Sequence, residues 1–258
     1  MKVGILAGGM GTRFSEETEF RPKPMIEIGG KPILWHIMMH FEHHGFTEFA
    51  IALGYKSEWI KRWVRDLPML SSHFSVNTKT GDLSLRDEDC PDWKVDLIYT
   101  GADTQTGGRV KQMQPWLGDK TFMLTYGDGV SDVNLTELLA FHKAHGKLAT
   151  LTAVRPPARF GHLELAGDQI NEFNEKPQTS EGWINGGFFV LEPQIFDYIE
   201  GDNIDFSKEP LQSIARDGQL MAYRHESFWQ CMDTQRDKIL LERLWSQHVA
   251  PWQTWGRD

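Results

Sequence analysis

The chain has 258 residues, 40% of them hydrophobic and 24% charged, with a formal net charge of -9 at pH 7. This composition suits an ordinary soluble globular protein with a real core and excludes a disordered or fibrous chain. A negative balance with no extended block of Lys or Arg also excludes a surface for nucleic acid or an anionic membrane, since both lean on clustered cations.

Cys90 and Cys231 lie far apart and form no CxxC pair, so neither a disulfide framework nor a zinc site is expected. The opening "MKVGILAGG" carries an apolar run too short for a signal peptide or a membrane span, which predicts a cytoplasmic location.

In chain order, the apolar run at residues 3–7 ends in glycines and predicts a buried parallel strand feeding a loop. "KPILWHIMMHFEHHG" predicts a helix entered at Pro32 and closed at Gly45. "EFAIALG" reads as a strand, and "SEWIKRWVRDL" as a helix with Ser57 at its N-cap. Strand, helix, strand, helix is the pattern of a parallel sheet with right-handed crossovers. Residues 68–93 are polar and weakly patterned, and read as a functional or interface loop with no assigned element.

The alternation resumes with strand "KVDLIYTG", a glycine-started helix over "GGRVKQMQPWL", strand "TFMLTYGDG", helix "NLTELLAFHKAHG" and strand "LATLTAV". After Pro156-Pro157 the segments shorten, and "GHLELAGDQINEFNEKP" predicts a hairpin turning at Gly167-Asp168. "INGGFFVL" is a further strand, and the last helices are expected near residues 209–217 and 234–247. The predicted fold is α/β, a Rossmann-like, mostly parallel sheet flanked by helices, with a small β-rich subregion after about residue 155.

The loop "LAGGMGTRF" follows the first strand. A dinucleotide fingerprint needs a third glycine where Phe14 stands and an acidic residue closing the second strand, which instead ends in Leu53-Gly54. A Walker A loop needs Gly-Lys-Ser/Thr, and Gly11 is followed by Thr12-Arg13. What remains is a turn in which Gly8, Gly9 and Gly11 let backbone N–H groups approach an anion or a base, with Arg13 adding full charge. Lys23 is expected in a stiff, extended segment between Pro22 and Pro24. Glycine turns after first strands also occur without a ligand, and both cations then stand in solvent.

"LAGGMGTR" followed by "RPKPM", then "TYGDG", "NEKP", "WINGGFFVL" and "FWQCMDT" in that order, resembles the signature of the sugar-1-phosphate nucleotidylyltransferases. The likeness runs nearly end to end and includes "KPILWHIM", "HGKLATLTAV" and "APWQTW". Within the family, "TGGR" and "INGGFFVL" most resemble the branch that transfers a cytidylyl group. The resemblance implies one nucleotidyltransferase domain over residues 1–258, its nucleotide-binding part running to about residue 155 and its sugar-binding part following. It implies CTP and glucose 1-phosphate as substrates, CDP-glucose and pyrophosphate as products, and Mg2+ as cofactor.

Carried over residue by residue, the resemblance makes Arg13 and Lys23 catalytic. Arg13 would neutralise the outer phosphates and the departing pyrophosphate, and Lys23 would bridge toward the reacting phosphoryl groups. Leu6, Gly8, Gly9, Gly11 and Thr12 would hold the nucleotide, and Thr106, Gly107, Gly108 and Arg109 would join the glycine backbone in selecting the base. Tyr126, Glu175, Lys176, Asn185 and Gly186 would hold the sugar phosphate, and Asp128 and Asp233 the metal. The residues themselves leave alternatives open. Asp128 in a Gly-Asp-Gly turn can be a turn residue only, and Gly107-Gly108 can be the loose start of a helix.

The chemistry fits this set. When a sugar-phosphate oxygen attacks the α-phosphorus of a nucleoside triphosphate, two anions must meet, which calls for cations and a metal rather than a general base. The alternatives are a relative using UTP, dTTP or GTP, a non-catalytic nucleotide- or sugar-binding regulator, and a metal-dependent glycosyltransferase, which would release no pyrophosphate. His43, His44, His142 and His145 are not expected to bind metal, and Trp245, Trp252 and Trp255 read as packing or subunit anchors, with a homo-oligomer expected. Two departures stand out: Cys231 lies where the resemblance leads to proline, and residues 70–92 match poorly.

Overall fold

The computed structural model describes residues 1–11, 14–85, 90–155, 162–166, 169–174 and 182–256. The elements that build the main sheet, its flanking helices and the site are, in chain order, β1 (Lys2–Leu6), α1 (Ile33–His43), β2 (Glu48–Leu53), α2 (Ser57–Ser71), β3 (Lys94–Tyr99), α3 (Thr106–Gln112), β4 (Phe122–Tyr126) and β5 (Gly129–Ser131). There follow α4 (Leu135–His145), β6 (Ala149–Val154), β7 (Ile184–Asn185), β8 (Phe189–Leu191), α5 (Glu209–Arg216), β9 (Leu220–His225), β10 (Trp229–Cys231) and α6 (Gln235–Ser246).

Eight strands form the main sheet, in the order β9, β6, β7 with β8, β4, β1, β2, β3. The pairs β1–β2, β1–β4, β2–β3 and β6–β9 are parallel, while β8 runs antiparallel to both β4 and β6. β7 and β8 follow one course along β6, interrupted at residues 186–188.

Both faces of this sheet are buried, which is why its strands read as continuous apolar runs. Val3 and Ile5 of β1, with Phe49, Ile51 and Leu53 of β2, enter one core with Leu34, Ile37, Met38 and Phe41 of α1. Leu6, Ala50, Ala52 and Leu124 point the other way, against Val110 of α3, Met113, Leu117 and Ile214. Alternation with a period of two thus sorts one apolar run onto two faces.

Three expectations change. The N-cap of α2 is Lys56, in left-handed geometry and with no side-chain cap, and Ser57 is the first helical residue. The helix runs on through Pro68, because Ile60, Trp63 and Leu67 give it a buried stripe that outweighs the lost backbone donor. Beyond it, Phe74–Val76 and Leu83–Leu85 pair antiparallel, so part of the unassigned stretch is a hairpin. The predicted later hairpin pairs His162–Ala166 with Gln169–Asn174, and its turn at Gly167-Asp168 lies outside the described residues.

The final helix is legible in detail. Thr234 caps it in a capping box with Asp237, each side chain satisfying the other's backbone N–H. Trp252, fully buried, stacks on Phe228 and Trp245 and donates from Nε1 to His36 Nδ1 at 3.3 Å. His142 bonds Thr150 Oγ1 at 2.8 Å through Nδ1 and Glu192 Oε1 at 3.1 Å through Nε2.

Candidate active site

The carboxyl ends of β1 and β4, with the segment that follows β3, open onto one cavity of about 380 Å³. This is where α/β sheets place ligands. Leu6, Gly8, Gly9 and Gly11 line it from the first loop, Lys23 from below, Thr106 and Arg109 from α3, and Tyr126 and Asp128 from the end of β4. Sequence reasoning missed Ala7, Pro24, Thr104, Gln105, Gly127 and Asp205, which also line it. The first five lie within two positions of predicted residues in the chain, whereas nothing local marks Asp205.

The glycines differ in what they do. A Cβ at Gly8 would stand 2.3 Å from an Arg109 guanidinium nitrogen, and Gly11 has φ +65 beside Thr18. Gly9 has open space where a side chain would go. Gly8 and Gly11 are therefore required by the protein's own packing, and Gly9 leaves room beside the cavity.

Arg109 is 3% exposed, and its two terminal nitrogens donate to five oxygens: Gly8 O at 3.0 Å, Leu53 O at 3.1 Å, Thr100 Oγ1 at 2.6 Å, Gly101 O at 2.8 Å and Ala102 O at 3.2 Å. It thus ties the loops after β1, β2 and β3 together beside the cavity. Burial pulls its pKa below the usual arginine range.

Gly107 and Gly108 do not line the cavity. Gly107 N–H donates to Ile204 O at 2.7 Å, and a Cβ at Gly108 would stand 2.4 Å from Asp202 O. Their lack of side chains lets residues 202–205 run across α3. Thr106 Oγ1 donates to Asp205 Oδ1 at 3.0 Å and accepts from Phe206 N–H at 2.8 Å.

Lys23 opens a short 3-10 turn, Lys23–Met25, rather than lying extended. Pro22 alone is extended, and the Met25 N–H closes the turn onto Pro22 O at 2.8 Å. The turn buries the Lys23 side chain, whose Nζ donates to Asp128 Oδ2 at 2.6 Å and also to Asp233 Oδ1. Burial alone would lower its pKa, but the two carboxylates outweigh that and hold it above the ordinary value.

A small ladder brings Asp233 to Asp128. β10 pairs antiparallel with β5, setting Cys231 opposite Gly129, and Met232 N–H donates to Asp128 O at 2.8 Å. The Asp233 N–H is then held by Asp237 Oδ2 at 3.0 Å, within the cap of α6. Two hard carboxylate donors thus converge on one positive charge, the donor chemistry of a divalent-cation site in which phosphates and water complete the shell. The Lys23 ammonium lies between them and pairs with both.

On the expected sugar side, Tyr126 Oη shares a hydrogen bond with Ser207 Oγ at 2.7 Å and accepts from Asn185 Nδ2 at 3.4 Å. Gly186 O accepts from Trp229 Nε1 at 2.7 Å. Asn185 therefore reaches the cavity wall through Tyr126, whereas Gly186 and Trp229 do not line it. Thr12, Arg13, Glu175 and Lys176 lie outside the described residues. A more open groove of about 1100 Å³ lies alongside and shares Gln105 and Asp205, but Lys23 and the two carboxylates do not line it. The groove carries its own charged residues, Asp205, Lys208, Glu209 and Arg216, while the Lys23–Asp128 pair borders the smaller cavity.

The chain is 47% identical over 256 residues to the glucose-1-phosphate cytidylyltransferase of Salmonella typhimurium, covering 99% of this chain and 100% of that one. It is 42% identical over 257 residues to a probable glucose-1-phosphate cytidylyltransferase of Bacillus subtilis, with the same coverage. Among solved structures, HddC from Yersinia pseudotuberculosis superposes with a TM-score of 0.70 at 23% identity, covering 95% of this chain and 99% of that one. A UDP-glucose pyrophosphorylase complexed with UDP-glucose superposes with a TM-score of 0.69 at 15% identity, covering 96% and 98%. These two likenesses concern the fold. The nucleotidyl transferase family profile matches residues 2–245, nearly the whole described sheet and both carboxylate-bearing segments, and the chain belongs to that family.

Proposed function

We propose that this chain is a glucose-1-phosphate cytidylyltransferase, transferring a cytidylyl group from CTP to glucose 1-phosphate and releasing pyrophosphate. The observation that carries this reading is the full-length 47% identity to a cytidylyltransferase, in a chain whose Lys23, Asp128 and Asp233 converge beside the glycine loop. An oxygen of the sugar phosphate attacks the α-phosphorus and forms the new P–O bond. The bond from the α-phosphorus to the bridging oxygen breaks, and pyrophosphate leaves with its electron pair. A phosphate monoester is already a competent nucleophile near neutral pH, so no general base is assigned.

The reading gives each part a task. Gly8, Gly9 and Gly11 offer backbone groups to the nucleotide, and Arg109 fixes the Gly8 carbonyl beside it. Lys23 holds the reacting phosphoryl region as charge shifts toward the leaving group. Asp128 and Asp233 hold the cation, Mg2+ in this reading, which would neutralise phosphate charge as the two anions approach. Arg13 is assigned to the pyrophosphate, Thr12 to the nucleotide, and Glu175 and Lys176 to the sugar phosphate, with Tyr126, Asn185 and Gly186 beside them. The whole forms one nucleotidyltransferase domain whose sugar-binding part begins near residue 156.

The reading extends to a homo-oligomer, supported by the hairpin that exposes Phe74, Val76, Leu83 and Leu85 on one face. Small, charged, soluble substrates suit a cytoplasmic enzyme. The test is pyrophosphate release with glucose 1-phosphate, Mg2+ and each of CTP, UTP, dTTP, ATP and GTP in parallel. Release with CTP far above the rest is expected. Release with another nucleotide would overturn the base assignment, and release with none would overturn the reaction.

A further inference from the structure

The Lys23 ammonium and a divalent cation have a claim on the same two carboxylates. Nζ lies 2.6 Å from Asp128 Oδ2 and also donates to Asp233 Oδ1. Magnesium binds carboxylate oxygens at ~2.0–2.1 Å, so an ion taking these two atoms would stand well inside contact distance of Nζ. An ion taking the other oxygen of each carboxylate would still face a second positive charge at about 4 Å, with little water to screen it.

Lys23 is 8% exposed, on a turn closed by the Met25 and Ile26 N–H groups. Its backbone is held, and only the side chain is left to move. We infer that Lys23 and the cation occupy the carboxylate pair in alternation, and that the cation enters as its nucleotide complex. This inference rests on the nucleotidyl-transfer reading and adds an order of events to it.

Metal alone must break two charge-assisted contacts and leave a buried ammonium without a partner, which is costly. Metal carrying a triphosphate brings the replacement partner with it, because a phosphate oxygen takes the Lys23 Nζ as the carboxylates take the ion. The lysine so released is the one needed at the reacting phosphoryl group. Binding of substrate and positioning of Lys23 thereby become one event, and the empty enzyme keeps its two acidic groups neutralised.

The experiment is Mn2+ binding to the full chain, read from the electron paramagnetic resonance signal of free Mn2+, with and without CTP and always without sugar phosphate, so nothing turns over. Wild type is expected to bind Mn2+ alone weakly and to bind it much more tightly with CTP. Lys23→Met should bind Mn2+ alone at least ~10-fold more tightly than wild type, the scale of one charge-assisted contact, and should gain less from CTP. Lys23→Arg keeps the charge and should stay weak, which separates competition from a general disturbance of the site. Thermal unfolding with and without Mn2+ gives a second readout, and Mn2+ should raise the Tm of Lys23→Met more than that of wild type.

Unchanged or weaker Mn2+ binding by Lys23→Met would overturn the inference, and the site reading would survive if Asp128→Asn still weakened binding of Mn2+ with CTP. Adding Asp128→Asn to Lys23→Met should abolish the gain. A gain that persisted in the double variant would put the ion elsewhere and overturn the site reading together with the inference.

Discussion

The Met232 N–H donates to the Asp128 carbonyl oxygen at 2.8 Å, locking together two segments that each carry a candidate metal ligand. The ladder between β5 and β10 sets the register, so Asp233 emerges beside Asp128 without relying on a flexible loop. Asp128→Asn and Asp233→Asn should each lower kcat by at least about 100-fold at saturating magnesium, while circular dichroism shows a folded chain. Near-normal turnover in either variant would remove that residue from the metal site.

Gly8 and Gly9 are adjacent and should respond differently to the same change. A methyl group at Gly8 meets the Arg109 guanidinium at 2.3 Å, so Gly8→Ala should destabilise the fold by about 1–3 kcal/mol, seen as a lower Tm. Among the described residues, and apart from its chain neighbours, nothing lies within 4 Å of where a Cβ would stand at Gly9, and the backbone is not left-handed. Gly9→Ala should therefore keep the Tm and raise the nucleotide KM, with the sugar-phosphate KM little changed. An unaltered nucleotide KM would mean that the open space at Gly9 is not where the nucleotide lies.

These two glycines also show how far the sequence could be read. Periodicity located the strands and helices around the site because each strand buries both faces, and the glycine loop stood out because the turn after β1 leaves little room for side chains. The helix after Thr234 was expected near residues 234–247, but its capping box was not read, although Thr234 and Asp237 lie only three positions apart. Gly107 and Gly108 were legible as special but not in their purpose, because the group that crowds them, residues 202–204, lies about a hundred positions away. Asp205 was invisible for the same reason. The passage of α2 through Pro68 depends on a buried stripe, which tertiary packing supplies and local rules do not. The pairing of Lys23 with two aspartates likewise required the β5–β10 ladder, whose strands are only three residues each.

Acid should act first through two buried histidines. His36 is held as the neutral ring: Nε2 donates to Ile28 O at 2.9 Å, and Nδ1 accepts from Trp252 Nε1. Protonation would set a donor against the tryptophan donor. Burial pushes the His36 pKa from its ordinary 6.5 to about 4, and that of His40 to about 3. A depressed folded-state value means that the stabilisation is complete above pH 6.5 and is lost as pH falls toward 4. For His36 the gap amounts to roughly 3 kcal/mol. Urea midpoints should fall steadily between pH 6.5 and about 5.2, where exposed carboxylates remain largely ionised. A flat profile across that window would show that these rings do not sense acid as their burial requires.

Cys231 stands beside the site but should not react there. Burial, then the nearby charges of Asp233 and Asp128, push its thiol up to about 12, and its Sγ lies 3.8 Å from Asp233 Oδ2. The thiolate is the reactive form, and at pH 8 only about one thiol in ten thousand would carry it. Labelling of Cys231 by a thiol reagent at pH 8 should therefore be at least ~100-fold slower in the folded enzyme than in urea, read by mass spectrometry of the peptide containing it. The same raised value makes the neutral thiol part of the folded state, so the contribution of Cys231 to stability is lost as pH rises from about 9 toward 12. Cys231→Ser should keep most activity, because a serine hydroxyl can still donate to Asp233 Oδ2 and the Asp233 N–H stays held by Asp237. Fast labelling of the folded chain would mean that the β5–β10 ladder opens readily, and with it the alignment of the two carboxylates.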